Sequence, residues 1–161
     1  MVVIPKLKPP YQGTKADAVK TEMQIMALLR KFGASGIQWT EYQGNRDLKF
    51  IIEVELKGVR KEIMVKVEPP LFLENRRTWN QKTGRHDIVK APNYAQSMRL
   101  LYWYLKSKLE AVAYGLVSAE QEFLSQVLIK LPRGETTVGE MIAHRVFDDS
   151  IKQLASPEVT Q

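Results

Sequence analysis

From Leu48 to Leu56 every second residue is apolar: Leu48, Phe50, Ile52, Val54 and Leu56 alternate with Lys49, Ile51, Glu53, Glu55 and Lys57. A period of two fits a strand with one buried face and is incompatible with a helix. Lys57-Gly58 then has the make-up of a two-residue hairpin turn. The return segment places Ile63, Val65 and Val67 on one face and Glu62, Met64 and Lys66 on the other. Ahead of these, the β-formers from Ile37 to Tyr42, followed by the turn residues Gln43-Gly44-Asn45-Arg46, add a third strand. An antiparallel meander is therefore the centre of the predicted fold.

Helical signals flank the meander. Ala18, Ile25, Leu29 and Phe32 follow helical spacing, with Met26 and Leu28 beside them and Met23 read with Met26 as core packing. Thr14 is the predicted N-cap, Asp17 its capping-box acid, and Gly33 the stop. The longest helix signal begins at Asn93, with Gln96 as reciprocal partner, and closes at Gly115; its buried stripe is Met98, Leu101, Leu105, Leu109 and Val112. A second capping box, Ser118 to Gln121, opens a helix carrying Phe123, Leu124, Val127 and Leu128. Thr137 and Glu140 open a last helix through about residue 154. The expected class is α+β: an N-terminal helix, a three-stranded antiparallel meander, a long helix, then two shorter C-terminal helices. Residues 1–13 read as a basic proline-rich arm, 14–154 as one domain with a basic loop at 74–92, and 155–161 as a disordered tail. A chain of 161 residues is long enough to bury a core of this kind.

Charge singles out the segment before the long helix. The net charge is +6, which favours an anionic partner, nucleic acid ahead of a membrane surface. Arg76, Arg77, Lys82, Arg85, His86 and Lys90 cluster around one aromatic, Trp79, and within the loop 74–92 Asp87 is the only acid after Glu74. Thr83-Gly84-Arg85 is compatible with a hairpin tip, and residues such as Thr78, Trp79, Ile88 and Val89 favour strands; hairpin and irregular loop both remain open. On the long helix, Arg99, Trp103 and Lys106 share a face by three- and four-residue spacing. Cations interleaved with flat rings suit a phosphate backbone and stacked bases. The candidate binding set is thus Arg76, Arg77, Trp79, Lys82, Arg85, His86, Lys90, Arg99, Trp103 and Lys106, with Tyr102 and Tyr104 read as structural.

Catalytic motifs are thin. Asp47, Glu55 and Lys57 have the residue types of a PD-(D/E)xK nuclease, but fall on a single strand where that site needs two. Solvated strand charges are the better reading. His86 and His144 lack the partners and spacing of a zinc site, and no nucleophile accompanies the His86–Asp87 pair. No glycine-rich phosphate loop occurs. With no cysteine there is neither disulfide nor thiolate chemistry, which fits a reducing or a hot compartment. The N-terminus is too short and proline-rich for a secretory signal, and no apolar run approaches the roughly 20 residues of a membrane span. The expectation is a cytoplasmic, cofactor-free, non-enzymatic protein without a membrane partner.

The run RLLYWYLKSKLEA from Arg99 to Ala111, followed by EFLSQVLI and GETTVGE, resembles small uncharacterised proteins of phages, prophages and plasmids. Arg99, Lys106, Glu110 and Ala111 match that pattern; Tyr102 stands where a tryptophan is usual, and Trp103 sits one place later. The resemblance covers the second half of the chain and implies a mobile-element setting, where nucleic-acid handling is a common task. The element order is also similar to double-stranded-RNA-binding domains, without their lysine cluster before Asn93, and to the β-β-β-α unit of recombinational annealing proteins. The expected partner is single-stranded DNA first and RNA second, with self-association extending the surface. The alternative is a structural or interaction module that homo-oligomerises.

Overall fold

A computed structural model describes residues 7–147. The chain has the α+β order expected of it. The described residues divide into two compact units, 7–28 with 69–108 and 29–68 with 109–147.

The second unit holds the meander. Strands β1 (Gly36–Tyr42), β2 (Asn45–Leu56) and β3 (Val59–Val67) pair antiparallel in the order β1-β2-β3. Both connections are two-residue turns with positive φ at each position: 50° and 79° at Gln43-Gly44, 51° and 76° at Lys57-Gly58. That backbone follows the right-handed twist of the strands, and glycine at the second position adopts it without steric cost. Register sets Phe50 against Ile37 and Val65, and Leu48 against Trp39 and Val67. Leu48, Phe50, Ile52, Val54, Val65 and Val67 are buried, as the alternation requires. Phe123 completes this core, meeting Phe50 edge-on with ring centroids 5.8 Å apart.

Two differences from the sequence reading fall in this unit. The predicted helix from Ser118 stops early: the short helix α3 (Ala119–Phe123) passes at once into a 3-10 turn at Leu124–Gln126. Its Ser118–Gln121 capping box is present. Leu128 lies instead in β6 (Leu128–Leu131), paired with β7 (Gly134–Thr137). A short apolar run such as Val127-Leu128-Ile129 suits either period, and here tertiary pairing decides: Val127 bridges Val65 of β3, and its carbonyl accepts from the Val138 amide at 2.9 Å. The last helix, α4 (Val138–Phe147), starts at the predicted capping box; its extension to 154 lies outside the described residues, as does the tail.

The helix α1 (Ala18–Lys31), which lies in the first unit as far as Leu28, begins four residues after Thr14. Asp17 is the cap, its Oδ1 accepting from the Val19 amide at 2.7 Å, while the Thr14 hydroxyl accepts from Ala16 N in a local turn. Thr21, Ile25 and Leu28 form the buried stripe, and Thr21 satisfies its hydroxyl on the Asp17 carbonyl. Met23 is exposed, contrary to its reading as core, because it lies two residues from Thr21 and Ile25 and so turns to the opposite side of the helix. The long helix, α2 (Tyr94–Ala113), is capped by Asn93 through its Oδ1 and the Gln96 amide at 3.1 Å. Gln96 does not close the box; its amide donates to the Pro10 carbonyl at 2.7 Å and fixes the end of the arm. Met98, Leu101 and Leu105 are buried in this unit, and Leu109 in the second, whereas Val112 is only half-buried. Residues 1–6 of the arm lie outside the described part.

Candidate nucleic-acid interface

The basic segment is a hairpin. Strands β4 (Leu73–Asn80) and β5 (Arg85–Pro92) form a two-stranded sheet of their own. At its base the Asn93 amide donates to the Phe72 carbonyl at 2.8 Å, tying the hairpin to the start of α2. Asn80 organises the tip: its Oδ1 accepts from the Lys82 and Thr83 amides, its carbonyl accepts from Gly84 N, and its Nδ2 donates to Asp87. An asparagine side chain that replaces backbone acceptors in this way holds a four-residue loop in one shape. Every residue from 81 to 90 is exposed.

Strand parity then sorts the charges. Paired residues point to the same side, and neighbours along a strand point to opposite sides. One face carries the pairs Leu73–Pro92, Asn75–Lys90, Arg77–Ile88 and Trp79–His86; the other carries Glu74–Ala91, Arg76–Val89, Thr78–Asp87 and Asn80–Arg85. Both acids of the hairpin lie on the second face, and each is engaged. Glu74 accepts from Arg76 Nη2 at 2.8 Å, and Asp87 accepts from Asn80. That face balances Arg76 and Arg85 against two carboxylates. The first face has Arg77, Lys90 and His86 and no acid at all. On β4, Leu73, Asn75, Arg77 and Trp79 of the acid-free face are all exposed; on the other face Arg76 is exposed, and Glu74, Thr78 and Asn80 are half-buried.

Trp79 is 57 % exposed and meets His86 across the pair with centroids 5.0 Å apart and planes at 72°. This edge-to-face contact braces the indole against the His86 ring. The hairpin therefore brings together Arg77, Trp79, His86 and Lys90. It separates Arg76 and Arg85 from them, which corrects the expectation of a single strip through all the cations, and leaves Lys82 at the tip.

On α2 the three- and four-residue spacing produces a different arrangement. The Arg99 guanidinium lies 5.2 Å from the Tyr102 ring and 5.3 Å from the Trp103 ring; Lys106 Nζ lies 5.1 Å from the same indole. Arg99 also donates to Gln24 of α1 at 3.2 Å. Both cations thus lie within cation–π reach of the Trp103 ring, which is 38 % exposed. Tyr102 packs edge-on against Trp103 as a structural neighbour.

The other titratable groups sit elsewhere. Asp47 and Glu55 stand on the same strand β2, eight residues and about 27 Å apart, and cannot meet on one ion. Among the described residues no three His, Cys, Asp or Glu side chains form a metal-holding group, and no helix is long and apolar enough to cross a membrane. The His144 side chain lies outside the described part. In the second unit, Lys49 of β2 bonds Glu135 of β7 at 3.0 Å, which holds the Glu135 carboxyl below its usual range. Glu140 is held low by the Thr137 amide and the Thr136 hydroxyl. Both belong to the scaffold. Comparison of the chain with protein-family models, curated proteins and solved structures yields no significant match.

Proposed function

We propose that this protein binds nucleic acid through the acid-free face of the β4–β5 hairpin, as an accessory protein of a phage or other mobile element. Single-stranded DNA is its preferred ligand in this reading, with RNA second, in replication or recombination. One observation carries it: parity collects Arg77, Lys90, His86 and an exposed Trp79 on one open face, while both hairpin acids are engaged on the other. Arg77 and Lys90 track phosphates, releasing counterions, and Trp79 offers its ring to an unpaired base. Arg99 and Lys106 on α2 add positive charge without stacking. The mobile-element setting comes from the resemblance of the Arg99–Ala111 run and the segments after it.

The test is a titration of labelled poly-dT at two salt concentrations. Binding should weaken steeply with salt, and Trp79 emission should be quenched on binding, with the quench lost in Trp79→Phe. Undetectable binding at low salt removes the reading.

A second reading, self-association as a structural or interaction module, draws on the exposed apolar side chains of the same hairpin, Leu73, Ile88 and Val89, and on the free edges of a two-stranded sheet. Light scattering over a range of concentrations tests it: a constant monomer mass excludes it.

A further inference from the structure

We infer that the same hairpin, as a two-stranded ribbon, also enters the major groove of duplex DNA and reads base edges there. This rests on the nucleic-acid reading of the hairpin and extends it to a second form of the ligand.

The argument starts from shape. The ribbon pairs two eight-residue strands, with no third strand beside them among the described residues and every residue from 81 to 90 exposed. A groove about 12 Å wide admits a two-stranded ribbon of this thickness, whereas a wider sheet is excluded. Three successive rows on the acid-free face, Asn75–Lys90, Arg77–Ile88 and Trp79–His86, span about 14 Å at the strand repeat, roughly four base pairs of duplex.

Chemistry supplies the second part. Arginine and lysine donate to the O6 and N7 acceptors of guanine, asparagine pairs with N6 and N7 of adenine, and an apolar side chain meets the thymine methyl. The face offers one of each in adjoining rows: Arg77, Lys90, Asn75 and Ile88. It carries no carboxylate to repel the phosphate walls. The Asn80-braced tip puts Lys82 at the end of the ribbon, where it would meet the backbone. Asn75 has no evident task in a charge-and-stacking mode on a single strand, so it is the residue that separates the two modes.

The experiment measures binding of a poly-dT strand and of a mixed-sequence duplex of the same length, at the same low salt, by anisotropy. Duplex binding should be competed by methyl green, which occupies the major groove, and not by netropsin, which occupies the minor groove. Asn75→Ala should weaken duplex binding about tenfold, the scale of one lost base-edge pair, and leave poly-dT binding unchanged. Because Asn75 is exposed, circular dichroism and an unchanged poly-dT affinity serve as the check on folding. Poly-dT binding without duplex binding, competition by netropsin, or an Asn75→Ala variant that binds duplex normally would each overturn the groove mode and leave the single-strand reading standing. Failure to bind either ligand would overturn both.

Discussion

The meander of the second unit and the hairpin of the first are built from the same antiparallel pairing, and both have parity-sorted faces. In β2 and β3 the sorting separates apolar from polar, and the apolar face is buried: Phe50, Leu48 and Val65 are all at 1 % exposure or less. In β4 and β5 the sorting separates acid-free from acid-containing, and neither face carries enough apolar surface to form a core. The period of two is a property of any strand; what alternates decides whether the strand builds a core or presents a surface. The meander is accounted for by its own burial. The hairpin leaves Trp79 and Ile88 exposed, so burial of its own apolar side chains does not account for it.

The largest expected effect tests the core half of this contrast. Phe50→Ala should cost about 3–5 kcal/mol in urea denaturation, because it removes a fully buried ring and leaves a cavity against Phe123. Ile88→Ala, an equally apolar truncation on the hairpin, should stay within about 0.5 kcal/mol. Comparable losses at the two positions would show that the hairpin is packed rather than presented, and the contrast would collapse.

Next in size is the difference between the two faces of the hairpin. Arg77→Ala with Lys90→Ala should weaken poly-dT binding strongly and reduce the slope of log affinity against log salt by about 1.4, two phosphates at roughly 0.7 each. Arg76→Ala with Arg85→Ala removes the same formal charge from the other face, where Glu74 already neutralises Arg76. That pair should change the slope by less than half as much. Equal slopes would mean that total charge governs binding and that parity is irrelevant to it.

The meander was legible because burial on one face imposes an alternation that no other structure tolerates, from Leu48 to Val67. The capping boxes at Ser118 and Thr137 were legible because they are local chemistry, complete within four residues. Where a second partner came from far along the chain, local reading failed. Gln96 chose the Pro10 carbonyl, 86 positions away, over its own cap, and Val127 was drawn into bridging Val65. In the candidate site, the cluster of cations was plain, but its division was not, since register depends on where the turn falls. Had the tip shifted by one residue, the pairing of Arg77 and Trp79 with β5 would have changed and Asp87 would have joined their face. The approach of Arg99 and Lys106 to the Trp103 ring was implicit in the spacing that placed the three together.

A smaller effect concerns the start of α4. The Thr137 hydroxyl accepts from the Glu140 amide at 3.2 Å, so Thr137→Ala should cost about 1 kcal/mol as a lost N-cap. Thermal or urea unfolding measures it, and a change within error would mean that the β6–β7 pairing alone fixes the helix start.

The smallest effect is a dependence on acid that belongs to the scaffold. The Glu140 carboxylate accepts from the Thr137 amide at 2.9 Å and the Thr136 hydroxyl at 3.0 Å, and these bonds hold its pKa below the ordinary glutamate value. A carboxyl depressed by folding stabilises the fold fully above its unfolded pKa and loses that contribution as pH falls through the folded value. Glu140 is exposed, so the charge contributes only roughly 0.3–1 kcal/mol, the scale of a surface acid at a helix N-terminus. Glu140→Gln keeps an acceptor oxygen and removes the charge. Wild type should therefore exceed the variant in urea midpoint near neutral pH, and the gap should close on acidification below the glutamate range. If the gap persisted unchanged in acid, the carboxylate would be acting through packing alone, and the charge of Glu140 would drop out of the account of how α4 begins.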